Sequence, residues 1–265
     1  MVKFFDSIDE NLTEFMRGQS IFFVASAPLV GRHVNLSPKG HPKRSFAVLG
    51  GNQVAYLDAT GSGCETIAHV YENGRVTVMF CSFGVSPKIM RLFCKGQVIE
   101  KDDERFEELR TRMSKVNGYD LDLAGIRAII LLDVFKAQTS CGFGVPLFSN
   151  QPSTSKHAND SEPGQSTFNR ATMEFWATKM TQNNALLRYQ KDSNFRSLDG
   201  VPGLRSARRA RGQWILWNDL KAWLTRIGHQ WVPLLMGVLM TIMVMASLYT
   251  TSLLDVRFGS PTHRR

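Results

Sequence analysis

The sequence predicts a mainly β domain with flanking helices (α+β), followed by a helical C-terminal region and one transmembrane helix. Three observations carry this. Residues 1–148 hold many short apolar runs separated by turn signals and few helical patterns, which suits a small β-barrel. Near residue 149 the composition shifts to Ser, Pro, Gln and Asn. Trp231–Leu254 then forms 24 consecutive positions without a charged side chain. About 20 helical residues cross a bilayer core of about 30 Å, so this run can span one.

The elements follow in order. Residues 6–18 read as a short helix, with Ser7 and Glu10 in capping-box spacing. Ile21–Ala27 reads as a buried strand and His33–Ser37 as a second, stopped by Pro38-Lys39-Gly40. Phe46–Leu49 and Val54–Asp58 form a pair around Gly50-Gly51-Asn52. Thr60-Gly61-Ser62-Gly63 breaks the second strand, and Cys64–Glu72 reads as a helix closed by Asn73-Gly74. Val76–Phe80 and Lys88–Ile99 are strands, the latter interrupted at Gly96. Asp103–Val116 is an amphipathic helix, with Phe106, Leu109, Met113 and Val116 at helical spacing. Ile126–Thr139 is a last long strand, bent or bulged.

Beyond the barrel, 149–167 reads as a linker and 168–230 as a basic, helical, amphipathic region. Within it, 168–192 reads as a helix and Asp199–Gly203 as a turn. Trp214, Leu216, Trp217, Leu220, Trp223, Leu224 and Ile227 form a tryptophan-rich stretch suited to the headgroup level of a membrane. The span at 231–254 is followed by a short tail, 255–265.

Charge is unevenly placed. Residues 1–150 carry 17 Lys/Arg and 16 Asp/Glu, a net of +1, whereas residues 151–265 carry 15 and 7, a net of +8. A basic cluster beside an apolar helix suits anionic lipid. Six basic residues between Arg205 and Arg226 precede the span and three follow it, which predicts that the main domain faces the cytosol. The cluster lacks aromatic interleaving and any nucleic-acid motif, so no nucleic-acid partner is expected. Cys64, Cys81, Cys94 and Cys141 show no C-x-x-C spacing, and free thiols in a reducing compartment are expected. Ile21–Ala27 is too short, and follows too many acidic residues, for a signal peptide. The six histidines have no ligand spacing, so no metal is expected.

One segment points to chemistry. Asp58–Thr66 runs from a strand through a Gly-rich turn into a helix start. Exposed backbone N–H groups and a helix dipole suit a phosphate there, with the hydroxyls of Thr60, Ser62 and Thr66 as added donors. The same residues also fit a local capping box, Ser62 with Glu65. The segment is neither a P-loop nor a dinucleotide turn. Lys39 and Arg91 are the basic candidates. Arg91 sits inside an apolar strand, where it needs an anionic partner, either a carboxylate or a ligand phosphate. His69, on a helix face, reads as a partly buried, satisfied histidine rather than a base.

Four segments in order, Phe22–Pro28, His33–Gly40, Thr60–His69 and Glu72–Phe80, resemble the pyridoxamine 5′-phosphate oxidase-like FMN-binding split barrels. The resemblance covers about residues 1–148. It implies a six-stranded Greek-key split barrel, usually a homodimer, with FMN in a groove at the dimer interface. Carried onto this chain, it implies cofactor contacts from Arg32 and Lys39, from the turn residues Thr60, Ser62 and Thr66, and from Arg91. Two departures count against pyridoxamine phosphate oxidation itself. Glu65 and Thr66 stand where the oxidase has a basic pair, and its C-terminal Trp- and Arg-containing segment has no counterpart after residue 142. The expected protein is thus an FMN flavoprotein, an oxidoreductase of unknown substrate tethered to membrane lipid by its C-terminal helix. The alternatives are a non-catalytic flavin, deazaflavin or haem module, a cofactor-free tethered scaffold, or the phosphate oxidase itself.

Overall fold

A computed structural model describes residues 2–121, 125–148, 167–228 and 231–258. The expected linker, 149–167, and the tail beyond Phe258 lie almost wholly outside these residues. The chain clusters into two compact units, 1–175 and 176–265.

The first unit is one antiparallel sheet. Its strands are β1 (Lys3–Phe5), β2 (Ile21–Ser26), β3 (Asn35–Gly40), β4 (Phe46–Gly50), β5 (Gln53–Ala59), β6 (Arg75–Cys81), β7 (Lys88–Glu100) and β8 (Ile126–Cys141). They pair in the order β3-β2-β6-β7-β8-β5-β4. The 16-residue β8 takes β5 along its first half and β1 along its second. The sheet is therefore eight-stranded rather than six-stranded, because β3 and the unforeseen β1 add edge pairings. It curls because its two ends share a core. Phe22, beside one edge, meets Phe46 of the other edge strand at 5.3 Å between ring centroids. Tyr56 and Phe80 complete this aromatic centre, all buried. Each such side chain contributes about 1.5–3 kcal/mol by leaving water.

The helices close the barrel. They are α1 (Glu10–Arg17), α2 (Pro42–Ser45), α3 (Glu65–Asn73) and α4 (Phe106–Asn117). α1 starts later than the spacing suggested. Asp9, not Ser7, is the N-cap, its carboxylate accepting from the Leu12 N–H at 2.8 Å. On α4, Phe106, Leu109 and Met113 pack on the outer face of the sheet against Ala47, Leu49, Ala55, Leu57 and Ile129. β5 is thus buried on both faces, with Val54 and Tyr56 inside and Ala55 and Leu57 beneath α4. β7 runs unbroken through Gly96, where an added Cβ would press on Val70 of α3 and Leu132. β3 runs through Pro38 instead of stopping before it. As an edge strand it pairs only with β2 among the described residues, so a missing N–H is tolerated. A short ribbon, β9 (Leu147–Phe148) with β10 (Thr167–Phe168), follows the barrel.

Further helices follow: α5 (Thr172–Gln182), α6 (Leu186–Ser193), α7 (Arg205–Ala210), α8 (Ile215–Gly228) and α9 (Trp231–Phe258). The single helix expected over 168–192 is two, broken at Asn184, which has φ +50°. In the second unit, Arg208 is buried and pairs with Asp219 at 2.7 Å, tying α7 to α8. α9 is long and apolar enough to cross a membrane over Pro233–Thr250, and none of that stretch is buried.

Candidate functional site

The site begins with a carboxylate on the wrong side of a strand. Alternation along β5 turns Val54, Tyr56 and Asp58 to one face, the barrel interior. Asp58 is 2% exposed, and a buried carboxylate needs charged or hydrogen-bonding partners. It has two. Lys39 Nζ reaches its Oδ1 at 3.2 Å, and Arg127 Nε reaches its Oδ2 at 2.7 Å. Lys39 faces inward because it is in register with the buried Phe22. Arg127 owes its aim to a bulge. Asp58 pairs with Ala128 and Ala59 with Ile126, so Arg127 is the extra residue between two rungs. Its Nη2 also donates to the Gly63 carbonyl at 2.8 Å, pinning the Gly-rich turn to the strand.

The turn is held at its other end by Thr60, whose N–H and hydroxyl both donate to the Gly125 carbonyl, at 2.7 and 2.9 Å. α3 then starts at Glu65, with Cys64 as N-cap and no side-chain cap bond, so the Ser62–Glu65 capping box does not form. Asn35 Nδ2 donates to Thr66 Oγ1 at 2.9 Å, joining β3 to α3. Between these elements lies a polar cavity of about 310 Å³, lined by Ser37, Lys39, Asp58, Ser62, Thr66, Arg127 and the turn glycines. Glu65 also lines it, with its carboxylate folded over Gly63. Below the cavity, Lys39 Nζ lies 5.9 Å from the centre of the Tyr56 ring. The Tyr56 hydroxyl is buried without a hydrogen-bond partner among the described residues. Burial pushes its pKa well above 10, Asp58 adds to the rise, and Arg127 opposes it.

Three expected site residues, Lys39, Ser62 and Thr66, meet at this cavity. Thr60 braces the turn beside it. Arg32 lies exposed on the segment before β3 and makes no ion pair among the described residues. Arg91 is elsewhere. It is in register with Met79, out of phase with the buried Phe80–Met90 pair, and so faces away from the barrel interior. Its partner is an amide, Gln138 Oε1 at 3.4 Å, and not the anion that the sequence reading required. A half-exposed guanidinium on the outer face is not desolvated enough to demand one. The sequence reading missed Asp58 and Arg127 as site residues. The signal for Asp58 was its inward phase with Val54 and Tyr56; Arg127 had none, because a bulge aims it.

One more polar pair is buried nearby. His69 Nδ1 and Ser26 Oγ are 2.9 Å apart, and the His33 ring lies 5.5 Å from that of His69. Among the described residues no three His, Cys, Asp or Glu side chains cluster to hold a metal.

The model of the pyridoxamine 5′-phosphate oxidase family matches residues 8–141, a stretch that contains every residue of this cavity. The chain belongs to the pyridoxamine 5′-phosphate oxidase family. Within it, the family protein ustO of Aspergillus flavus is 46% identical over 244 residues, 91% of this chain and 94% of its own length. That likeness runs well past the family match, into the C-terminal helices. Solved structures are more distant. A FAD-binding protein of Mesorhizobium loti is 11% identical, with TM-score 0.36, over 53% of this chain and 99% of its own. A putative pyridoxamine 5′-phosphate oxidase of Listeria innocua is 11% identical, with TM-score 0.35, over 48% and 94%.

Proposed function

We propose that this family member binds FMN and is an oxidoreductase acting on a small molecule other than pyridoxamine 5′-phosphate, held on a membrane by α9 with its barrel in the cytosol. The observation that carries the cofactor is the cavity over Lys39, Arg127 and the turn into α3. A phosphate with close to two negative charges needs cations and N–H donors when it leaves water. Lys39 and Arg127 supply the cations, and the turn supplies backbone donors at a helix start. The hydroxyls of Ser37, Ser62 and Thr66 suit a polyol chain, so this donor set fits a flavin mononucleotide. Asp58 holds both cations from behind, so little side-chain freedom is lost when the anion arrives. Bound flavin would supply hydride or single-electron transfer; the chain's task is to hold and orient it.

Glu65 sets the limit on phosphate. Its exposed carboxylate must swing off Gly63 before an anion reaches the turn, and it repels a second phosphate on a substrate. This supports a substrate without a phosphate. The face of β2, β6 and β7 away from the core carries Phe23, Met79, Arg91 and Phe93, all half-exposed. A second copy packed there would cover them, which supports a homodimer with Arg91 at its interface.

Titration of FMN and riboflavin into the full chain in detergent tests the reading. Charge-assisted bonds contribute about 1.5–3 kcal/mol, so Lys39→Met should weaken FMN roughly tenfold to a hundredfold and barely change riboflavin. Glu65→Gln should tighten FMN only. An FMN-to-riboflavin ratio unchanged in both variants refutes the phosphate site. A purified chain with a haem band, or one that binds neither flavin, selects the sensor or scaffold alternatives.

A further inference from the structure

α8 is built inside out for a soluble helix. At about 100° per residue, Leu216, Trp217, Leu220, Trp223 and Leu224 fall within an arc of about 120°. All five are exposed, from 45% at Leu220 to 75% at Leu216. The side turned to the rest of its unit is mostly small or polar, Asn218, Asp219 and Ala222, with Ile215 among them. The acidic residue of α8, Asp219, is paired with the buried Arg208, so its charge is matched within the unit. Lys221 and Arg226 are exposed and flank the apolar arc on opposite sides. Tryptophan and leucine on one face with basic flanks is the pattern of a helix lying in a membrane interface.

The chain itself says what covers this face. α8 ends at Gly228 and α9 begins at Trp231. Three residues reach at most about 11 Å. If α9 crosses a bilayer, the end of α8 cannot leave its surface.

We propose that α8 lies flat in the headgroup layer of an anionic membrane, its Trp217–Trp223 face against the acyl boundary and Lys221 and Arg226 on lipid phosphates. The proposal rests on α9 as the anchor and adds a second, surface contact that orients the C-terminal unit.

The test uses the full chain in vesicles of phosphatidylcholine and phosphatidylglycerol, with acyl chains brominated either near the glycerol or near the chain end. The remaining tryptophans become phenylalanine, leaving Trp223 alone. In a matched chain Trp223 is also replaced, and Thr225→Trp puts the probe on the opposite face. The glycerol-end label should quench roughly half of the Trp223 emission and little of the Thr225→Trp emission, as expected for a helix buried about 5–10 Å deep. Leu220→Glu, an exposed change that spares the fold, should lower quenching of Trp223. Equal quenching at both positions, or none at Trp223, overturns the proposal. A chain that resists carbonate extraction with Trp223 unquenched keeps the anchor and loses the surface helix. A chain released by carbonate loses the anchor; shallow quenching of Trp223 on anionic vesicles at low salt would then still support α8, and its absence would refute both. Blue-shifted but unquenched Trp223 emission means that a second copy covers the face, and it also overturns the proposal.

Discussion

Asp58 is the residue on which the site depends, and its two partners are not equivalent. Arg127 makes a 2.7 Å bond to the carboxylate and a 2.8 Å bond to the turn, whereas Lys39 makes one 3.2 Å contact. Arg127→Met should therefore cost about 2–3 kcal/mol and Lys39→Met about 1 kcal/mol in urea unfolding; equal costs would contradict this division. The cysteines separate as sharply. Cys64 and Cys141 are exposed, while Cys81 and Cys94 are buried. Burial pushes the Cys94 thiol far up, with Asp133 adding to it, and burial also raises Cys81. A thiol reagent at neutral pH should titrate Cys64 and Cys141 in the native chain and the other pair only after unfolding; four fast thiols would refute the buried assignment. Tyr56 gives a pH signature. Its folded pKa lies above the unfolded value, so the folded chain holds the proton longer and stability falls as pH rises beyond about 10. Phenolate absorbance from Tyr56 should appear only with unfolding, and a Tyr56→Phe chain should lose that part of the alkaline destabilisation.

At the scale of elements, period and turn chemistry located most of the chain. Apolar runs between turn signals marked β2, β5, β6 and β7, the Gly-rich turn and Asn73-Gly74 bounded α3, and helical spacing marked α4. Ends were less legible, because caps and edges are decided by neighbours. Ser7 and Asp9 both suit an N-cap, and only the folded backbone selects Asp9. Asp9→Ala should cost about 1 kcal/mol and Ser7→Ala close to nothing by urea unfolding; the reverse order would restore the earlier start. Pro38 looked like a stop because strands in the middle of a sheet need every N–H. At an edge that requirement lapses. α2, a single turn between His41 at φ 50° and Phe46, is too short to leave a periodic signal.

For the whole molecule, charge and apolarity divide the work. The barrel is near neutral, and the basic excess lies with the C-terminal helices beside α9. Removing residues 229–265 should convert a carbonate-resistant protein into one released by carbonate. Carbonate release of the full chain would exclude α9 as the anchor. The half-exposed Phe23, Met79 and Phe93 belong to the same scale. If two copies pair through this face as proposed, Phe93→Lys should shift the chain in detergent from dimer to monomer by light scattering, and an unchanged mass would refute that contact.

By itself the sequence determined the fold class, the family likeness, the Gly-rich turn and the apolar span, since each is written in local period, composition or order. The tertiary structure alone decided which charges meet. Lys39 and Asp58 are 19 residues apart, and Asp58 and Arg127 are 69 apart. Nothing local joins them, and a one-residue bulge in β8 turns Arg127 into the cavity while strand phase turns Arg91 out of it. A side-chain period of two makes the face of every strand residue depend on register. Register is set by pairing across the sheet, and so it is not contained in any single segment.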